Sequence, residues 1–297
     1  MTAIATLSAA CPQIRENEPL ARHTSFGIGG PADYFADVNR LDELAALRRA
    51  ATEQRLPVFF IGAGSNLLIS DRGIRGLVIH LQGDFRTITI NSPVIRIGAG
   101  AWMPVLAKQA ADAGLSGVEA MIGIPGTIGG GLVMNAGTRD GWLGNVVETV
   151  DALGDDGRVN TLSGDAFGFA YRTSKLAGQW LIGAQLRLTP SDSKTVREKI
   201  DSILQYRTRT QPLATSNCGS VFKNPDAGPA AQFIEQAGLK GTAVGGARVS
   251  ERHANFIVNE RGASAADVRE LMGRIQARVK EKFGVELEPE VKLVGEW

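Results

Sequence analysis

An α+β fold follows from three features of this sequence. Short β-rich runs separated by Gly, Asp and Pro fill the first half, and long helical periodicity appears only later. The strands are also unevenly spaced, unlike the regular alternation of repeated βα units. With 297 residues the chain has room for two or three domains and can enclose a large ligand.

In chain order, Asn39 is a polar cap ahead of Leu41, Leu44, Leu47 and Ala51, a helical spacing that stops before Pro57. Residues 57–61, PVFFI, read as a buried strand, and residues 77–81, 85–90 and 94–97 as further strands, with a helix over 103–113. Strands follow at 146–153 and 179–188, then a helix at 193–206. The last ninety residues differ in texture. They predict a helix at 229–236, where Pro229 suits the first turn, a strand at 255–258, and a strongly amphipathic helix over 264–283 with Ser264 as cap and Gly284 as stop. No internal repeat or low-complexity tract interrupts this pattern.

Composition limits the partners. Thirty-two basic and 31 acidic side chains leave a formal net charge of +1, so there is no diffuse basic field for nucleic acid or anionic lipid, and anionic ligands must be met locally. Hydrophobic residues at 43% and charged residues at 21% are those of a folded globular chain. Cys11 and Cys218 are too few for a disulfide framework and lack metal-site spacing, so both read as thiols in a reducing compartment, with no metal site. The Leu7-Ser8-Ala9-Ala10-Cys11 string faintly suggests a lipoprotein cleavage site. No Lys or Arg precedes it, however, and Thr2 and Thr6 break its short apolar run. No segment reaches the ~20 apolar residues of a membrane span. The expectation is a cytoplasmic protein.

Two glycine-rich segments carry chemistry. Gly62-Ala63-Gly64-Ser65-Asn66, with Leu67 after it, follows directly on PVFFI, where bare backbone at a strand end can approach a phosphate. The placement suggests a dinucleotide, and tight turns alone would also produce such a string. It lacks the third glycine and the distant acidic residue of a Rossmann unit. Residues 123–137, GIPGTIGGGLVMNAG, hold six glycines in fifteen positions. In regular structure each costs about 0.5–1 kcal/mol relative to alanine, which something must offset. Either they form a run of turns, or the backbone wraps a flat or phosphorylated ligand with its amides replacing water.

Taken with HTSFGIGGPADYF (residues 23–35), these two segments resemble the UDP-N-acetylenolpyruvoylglucosamine reductase family. The resemblance continues through YRTSKL (171–176), CGSVFKNP (218–225), GGARVSERHANFIVN (245–259) and LEPEVKLVG (287–295), in order along nearly the whole chain. It implies an FAD-binding fold of the vanillyl-alcohol-oxidase type: a first FAD-binding subdomain over 1–80 and a second over 81–207. It also implies a substrate domain over 208–284 and a tail, 285–297, that returns to the FAD-binding part. The short SERHANF block is similar to the second of the family's two types.

The implied activity is NADPH-dependent, FAD-mediated reduction of UDP-N-acetylglucosamine enolpyruvate to UDP-N-acetylmuramate, for peptidoglycan synthesis; the oligomeric state stays open, with a monomer favoured. By the same resemblance FAD is held by Gly62, Ala63, Gly64, Ser65, Asn66 and Leu67, and by Gly123, Pro125, Gly126, Thr127, Gly129, Gly130, Asn135, Ala136 and Gly137. The family often has an Ala-Tyr or similar pair next, where this chain has Thr138-Arg139-Asp140.

Such a reduction is a conjugate addition that needs a proton donor and cationic or hydrogen-bonding groups where charge grows. Ser220 matches the family's proton donor, Arg172 the arginine that neutralises the substrate carboxylate, and Glu290 the active-site glutamate. Asn224, His253, Lys292 and Arg209 match substrate contacts. Cys218 with His253 as a nucleophilic pair is the rival reading of the CGS block, with nothing local to lower the thiol pKa. From 285 to 293 apolar and charged residues alternate, which places Glu290 and Lys292 on one strand face and 285, 287, 291 and 293 on the other, with Pro289 confining the strand to an edge or bulge. Two other functions remain compatible: another FAD oxidoreductase of the same fold acting on an alcohol or sugar, and a colourless UDP-sugar-binding protein.

Overall fold

The spacing of Leu41, Leu44, Leu47 and Ala51 becomes the helix Leu41–Glu53 in the computed structural model, which describes residues 2–297. Its free amides are met from inside: the Glu43 carboxylate accepts from Asn39 N–H at 2.9 Å and Arg40 N–H at 3.3 Å. Asn39 is therefore capped by the first turn and does not itself cap it.

The chain divides into two units. The first comprises the residues up to Arg15, Tyr34–Gly62 and Gly76–Tyr206. Val58–Ile61 pairs in parallel with residues 77–80 of the strand Ile74–Leu81. A five-stranded antiparallel sheet runs in the order Val159–Ser163, Val147–Leu153, Trp180–Arg187, Val94–Gly98, Ile88–Asn91. Leu44, Leu47, Leu77, Ile79, Ile95, Leu106 and Leu186 are fully buried in one cluster, each worth about 1.5–3 kcal/mol of apolar burial. The helices Met103–Asp112 and Ser193–Thr210 follow the predicted periodicity, the second running four residues further than expected.

One expected strand is different. Residues 85–90 give a 3-10 turn, Gly83–Arg86, and a strand only from Ile88. Gly83 has φ +48°, and a Cβ there would come within 2.7 Å of the Asn39 carbonyl, so the chain turns tightly at this point. Phe85 enters the core from that turn, at 5% exposure. The helix Ala3–Ala10 and the strand Pro31–Val38 carried no expectation.

The second unit comprises Glu16–Asp33, Ala63–Arg75 and Arg207–Trp297. Three antiparallel strands, Ala243–Val244, Ala247–Val249 and Ile257–Asn259, accompany the helices Ala230–Gln236 and Ala265–Phe283. The long helix buries Val268, Leu271, Met272, Ile275 and Val279 on one stripe. Its start is fully provided for. Ser264 Oγ accepts from Asp267 N–H, Asp267 accepts from Ser264 N–H, and Asp71 accepts from Ala265 and Ala266 N–H. Gly284, at φ +68°, ends it as expected.

Among the described residues no helix is long and apolar enough to cross a membrane, and no group of three or more His, Cys, Asp or Glu could hold a metal ion. Replacing the cap, Ser264→Ala, is expected to cost about 1 kcal/mol, read as a lower urea midpoint at unchanged slope. An unchanged midpoint would mean that Asp71 alone caps this helix.

Candidate active site

The strand Val58–Ile61 delivers the chain to Gly62, where a Cβ would run into Thr127 Oγ1. The two glycine-rich segments therefore touch in the first unit, and only a bare Cα allows it. Gly64, at φ +59°, is equally constrained, since a Cβ there would strike the His23 carbonyl. In the loop itself the amides of Ala63, Gly64, Ser65 and Asn66 donate to no protein acceptor among the described residues. A run of outward amides of this kind suits an anion.

The second segment differs from the expected array of ligand-facing donors. It folds as a 3-10 turn, Glu119–Gly123, and a short helix, Ile128–Met134, capped by Thr127. Its amides are largely taken by the protein: Ile128 N–H donates to Ala101 O, Gly129 to Ala99 O, Gly131 to Thr127 O and Ala136 to Gly131 O. Its glycines serve close packing instead. A Cβ on Gly131 would lie 2.9 Å from Met103 Sδ, and one on Gly137 would lie 2.7 Å from Trp142 Cα, whereas exposed Gly130 meets nothing nearer than 3.6 Å. Bare backbone at Gly62 and Gly130 in the first unit, and open amides over residues 63–66 in the second, each suit the close approach of a phosphate-bearing ligand.

Arg172 is built onto the same segment. Ala170 and Thr173 exchange backbone hydrogen bonds, so Tyr171 and Arg172 form a tight turn, with Arg172 at φ +57°. Two side chains dock this turn: buried Asn135 donates to Ala170 O at 3.1 Å, and Ser174 Oγ donates to Val133 O at 2.9 Å. The guanidinium donates from Nη1 to Gly137 O at 2.8 Å and lies over the Trp142 and Tyr171 rings.

Ser220 and Glu290 are brought together in the second unit by main-chain bonds. Val221 N–H donates to Asn255 O, and Val221 O accepts from Glu290 N–H at 2.8 Å and Val291 N–H at 3.3 Å. Lys223 N–H donates to Glu288 O, and Phe222 bridges to Pro289. The next residues, Lys292–Val294, pair in parallel with Leu67–Ile69, while Asn66 Nδ2 donates to Glu290 O and Lys292 N–H to Asn66 O. The expected alternation holds from Glu286 to Lys292 and then fails, because Leu293 is 40% exposed. The strand is only three residues long and belongs to a two-stranded ladder.

Sequence reasoning missed Asn255, at 4% exposure. Its Oδ1 accepts from Phe222 N–H at 3.0 Å and its Nδ2 donates to Phe222 O at 2.8 Å, so one side chain sets the backbone beside Ser220. The only signal was a polar residue lodged between Ala254 and the apolar run 256–258.

His253 is half-buried and accepts on Nδ1 from Asn255 N–H; burial, then the Lys240 charge, push its pKa down against the pull of Glu235. Asn224 accepts from Ala230 N–H, and Lys292 and Arg209 are exposed. Arg207, two residues from Arg209, is half-buried, and burial lowers its pKa. Cys218 is fully buried, and burial together with the Glu290 charge pushes its thiol up to about 12. Burial thus works against a thiolate nucleophile at Cys218 paired with His253.

These elements define a flavin-binding protein. Residues 32–163 match the family described as FAD binding domain. The fold also superposes on Phl p 4.0202, a glucose dehydrogenase, with TM-score 0.50 over 70% of this chain and 50% of that one, at 11% identity. Residues 211–294 match a second family, UDP-N-acetylenolpyruvoylglucosamine reductase, C-terminal domain. UDP-N-acetylenolpyruvoylglucosamine reductase 2 of Symbiobacterium thermophilum is 48% identical over 95% of this chain and 92% of its own. The crystal structure of the Thermus caldophilus reductase superposes with TM-score 0.83 at 37% identity, over 94% of this chain and 99% of that one. This chain belongs to the UDP-N-acetylenolpyruvoylglucosamine reductase family.

Two measurements check the electrostatics. Thiol reagents at mildly alkaline pH should label neither Cys11, whose pKa burial also raises, nor Cys218 until the protein is unfolded; fast native labelling of Cys218 would restore the nucleophile reading. Because His253 titrates below its ordinary ~6.5 when folded, the unfolded chain takes up its proton first as pH falls. It therefore subtracts stability as pH drops through ~6.5 and nothing above that. His253→Gln should flatten this part of the stability curve, and an unaltered slope would place the effect elsewhere.

Proposed function

We infer that this chain is an FAD-dependent oxidoreductase that reduces the enolpyruvyl group of UDP-N-acetylglucosamine enolpyruvate to UDP-N-acetylmuramate with NADPH, a step in making peptidoglycan precursor. The observation that carries this reading is the hydrogen-bonded frame at Val221, which keeps Ser220 and Glu290 on adjoining backbone inside the region matched by the reductase C-terminal domain. Residues 62–67 and 123–137 would hold FAD, which when bound would supply the hydride chemistry between NADPH and the terminal carbon of the enolpyruvyl group.

The protein's own residues handle the charge and the proton. As hydride arrives, negative charge moves into the substrate carboxylate, where the Arg172 guanidinium offers a fixed cation with planar donors. Stabilising a developing oxyanion with one such donor is worth about 2.7–4 kcal/mol in related chemistry. Glu290 hydrogen-bonds the developing enolate only in its protonated form, since a carboxylate has no proton to donate to an anionic oxygen. Ser220 Oγ–H gives its proton to the carbon adjacent to the carboxylate, and its main chain, clamped by Asn255 and the tail, limits where that hydroxyl points.

Asn224, His253, Lys292 and Arg209 receive the UDP-sugar; a neutral His253 acts there as a hydrogen-bonding group. In this reading residues 1–80 and 81–207 are the two FAD-binding subdomains, 208–284 the substrate domain and 285–297 the returning tail. The enzyme is of the family's second type and works as a cytoplasmic monomer.

Ser220→Ala separates the two halves of the cycle. NADPH should still bleach the bound flavin at the wild-type rate, while reoxidation by the enolpyruvyl substrate slows by about 10²–10⁴-fold. Equal loss in both halves would contradict the assigned role.

A further inference from the structure

Residues 137–142 fold back as a small hairpin in which Trp142 pairs with Gly137 and Gly141 with Thr138. Gly137 is the residue whose carbonyl accepts from Arg172 Nη1. The indole of Trp142 is thus placed by the same backbone that anchors the guanidinium. The guanidinium carbon lies 5.2 Å from the Trp142 ring centroid and 5.3 Å from that of Tyr171, both within the ~6 Å range of a cation–π contact. The two rings meet edge to face, 5.7 Å apart at 80°, and form a corner around Arg172.

This corner has a physical purpose. Arginine loses considerable rotamer freedom when it engages a ligand, and a side chain already held gives up less on binding. Arg172 is constrained at its backbone by φ +57°, at Nη1 by Gly137 and at its face by the rings. We propose that Trp142, with Tyr171, is a positioning residue for the reduction, holding the Arg172 guanidinium ready for the substrate carboxylate. The proposal rests on Arg172 binding that carboxylate. Of the two rings Trp142 is the stronger partner, because an indole face attracts a cation better than a phenol.

The test is a double-mutant cycle on the FAD-loaded enzyme, measuring flavin reduction by NADPH and kcat/KM for the enolpyruvyl UDP-sugar. Trp142→Leu should leave flavin reduction unchanged and lower kcat/KM roughly tenfold, and Trp142→Phe, which keeps an aromatic face, should recover most of the loss. In an Arg172→Ala background, adding Trp142→Leu should change nothing further. The proposal is overturned if Trp142→Leu has no effect alone, or if it costs the same factor in both backgrounds, which is what a merely structural role would produce. Full kcat/KM in Arg172→Ala itself would overturn it differently, by removing the carboxylate reading on which it stands.

Discussion

The peptide of Val221 is hydrogen-bonded on both sides, its N–H to Asn255 O and its carbonyl to Glu290 N–H, and the candidate chemistry of the second unit depends on that arrangement. Each such bond is worth only about 0.5–1.5 kcal/mol net, yet leaving its buried partners unpaired would cost about 1–3 kcal/mol each. The frame is therefore held less by its strength than by the penalty for breaking it. Because Glu290 O also accepts from Asn66 Nδ2, the backbone of residue 290 is fixed from two directions.

The glycines divide the same way between constraint and opportunity. Gly62, Gly64, Gly131 and Gly137 are required by neighbours that a Cβ would strike, so their entropic cost is offset by packing. Gly130, in the first unit, is not crowded. In the second unit, the amides of residues 63–66 donate to no protein acceptor among the described residues. The glycine tract from 123 to 137 turned out to be more scaffold than donor array: it carries Asn135, which anchors the Tyr171-Arg172 turn, and Gly137, which anchors the guanidinium.

Much of this was legible in the residues and some was not, for physical reasons. The helices Leu41–Glu53 and Ala265–Phe283 were readable because each presents an apolar stripe at helical spacing, with Ser264 and Gly284 marking the ends of the second. Ser193–Thr210 was readable from its periodicity alone, which buries only Val196 and Ile200 and left its end four residues short. The helix Ile128–Met134 was not, since its glycines are poor helix formers and tertiary bonds to Ala99 and Ala101 override that preference. Phe85 looked like a strand residue because its apolar character does not say whether it enters a core from a strand or from a turn. Leu293 looked like core because alternation cannot reveal how short a strand is or which of its apolar residues stays exposed. Ser220, Arg172 and Glu290 came from ordered motif blocks. Asn255 was hidden because its partner, Phe222, lies thirty-three residues away and nothing local marks a long-range clamp.

The central claim is that this framework delivers hydride from NADPH to an enolpyruvyl UDP-sugar by way of FAD. Anaerobic spectrophotometric titration of the purified wild-type protein tests it most directly. The account predicts a yellow protein whose visible band is lost with one equivalent of NADPH and restored by UDP-N-acetylglucosamine enolpyruvate, with UDP-N-acetylmuramate as product. A band that oxygen restores but the enolpyruvyl sugar does not, or a protein that stays colourless after incubation with FAD, would contradict it.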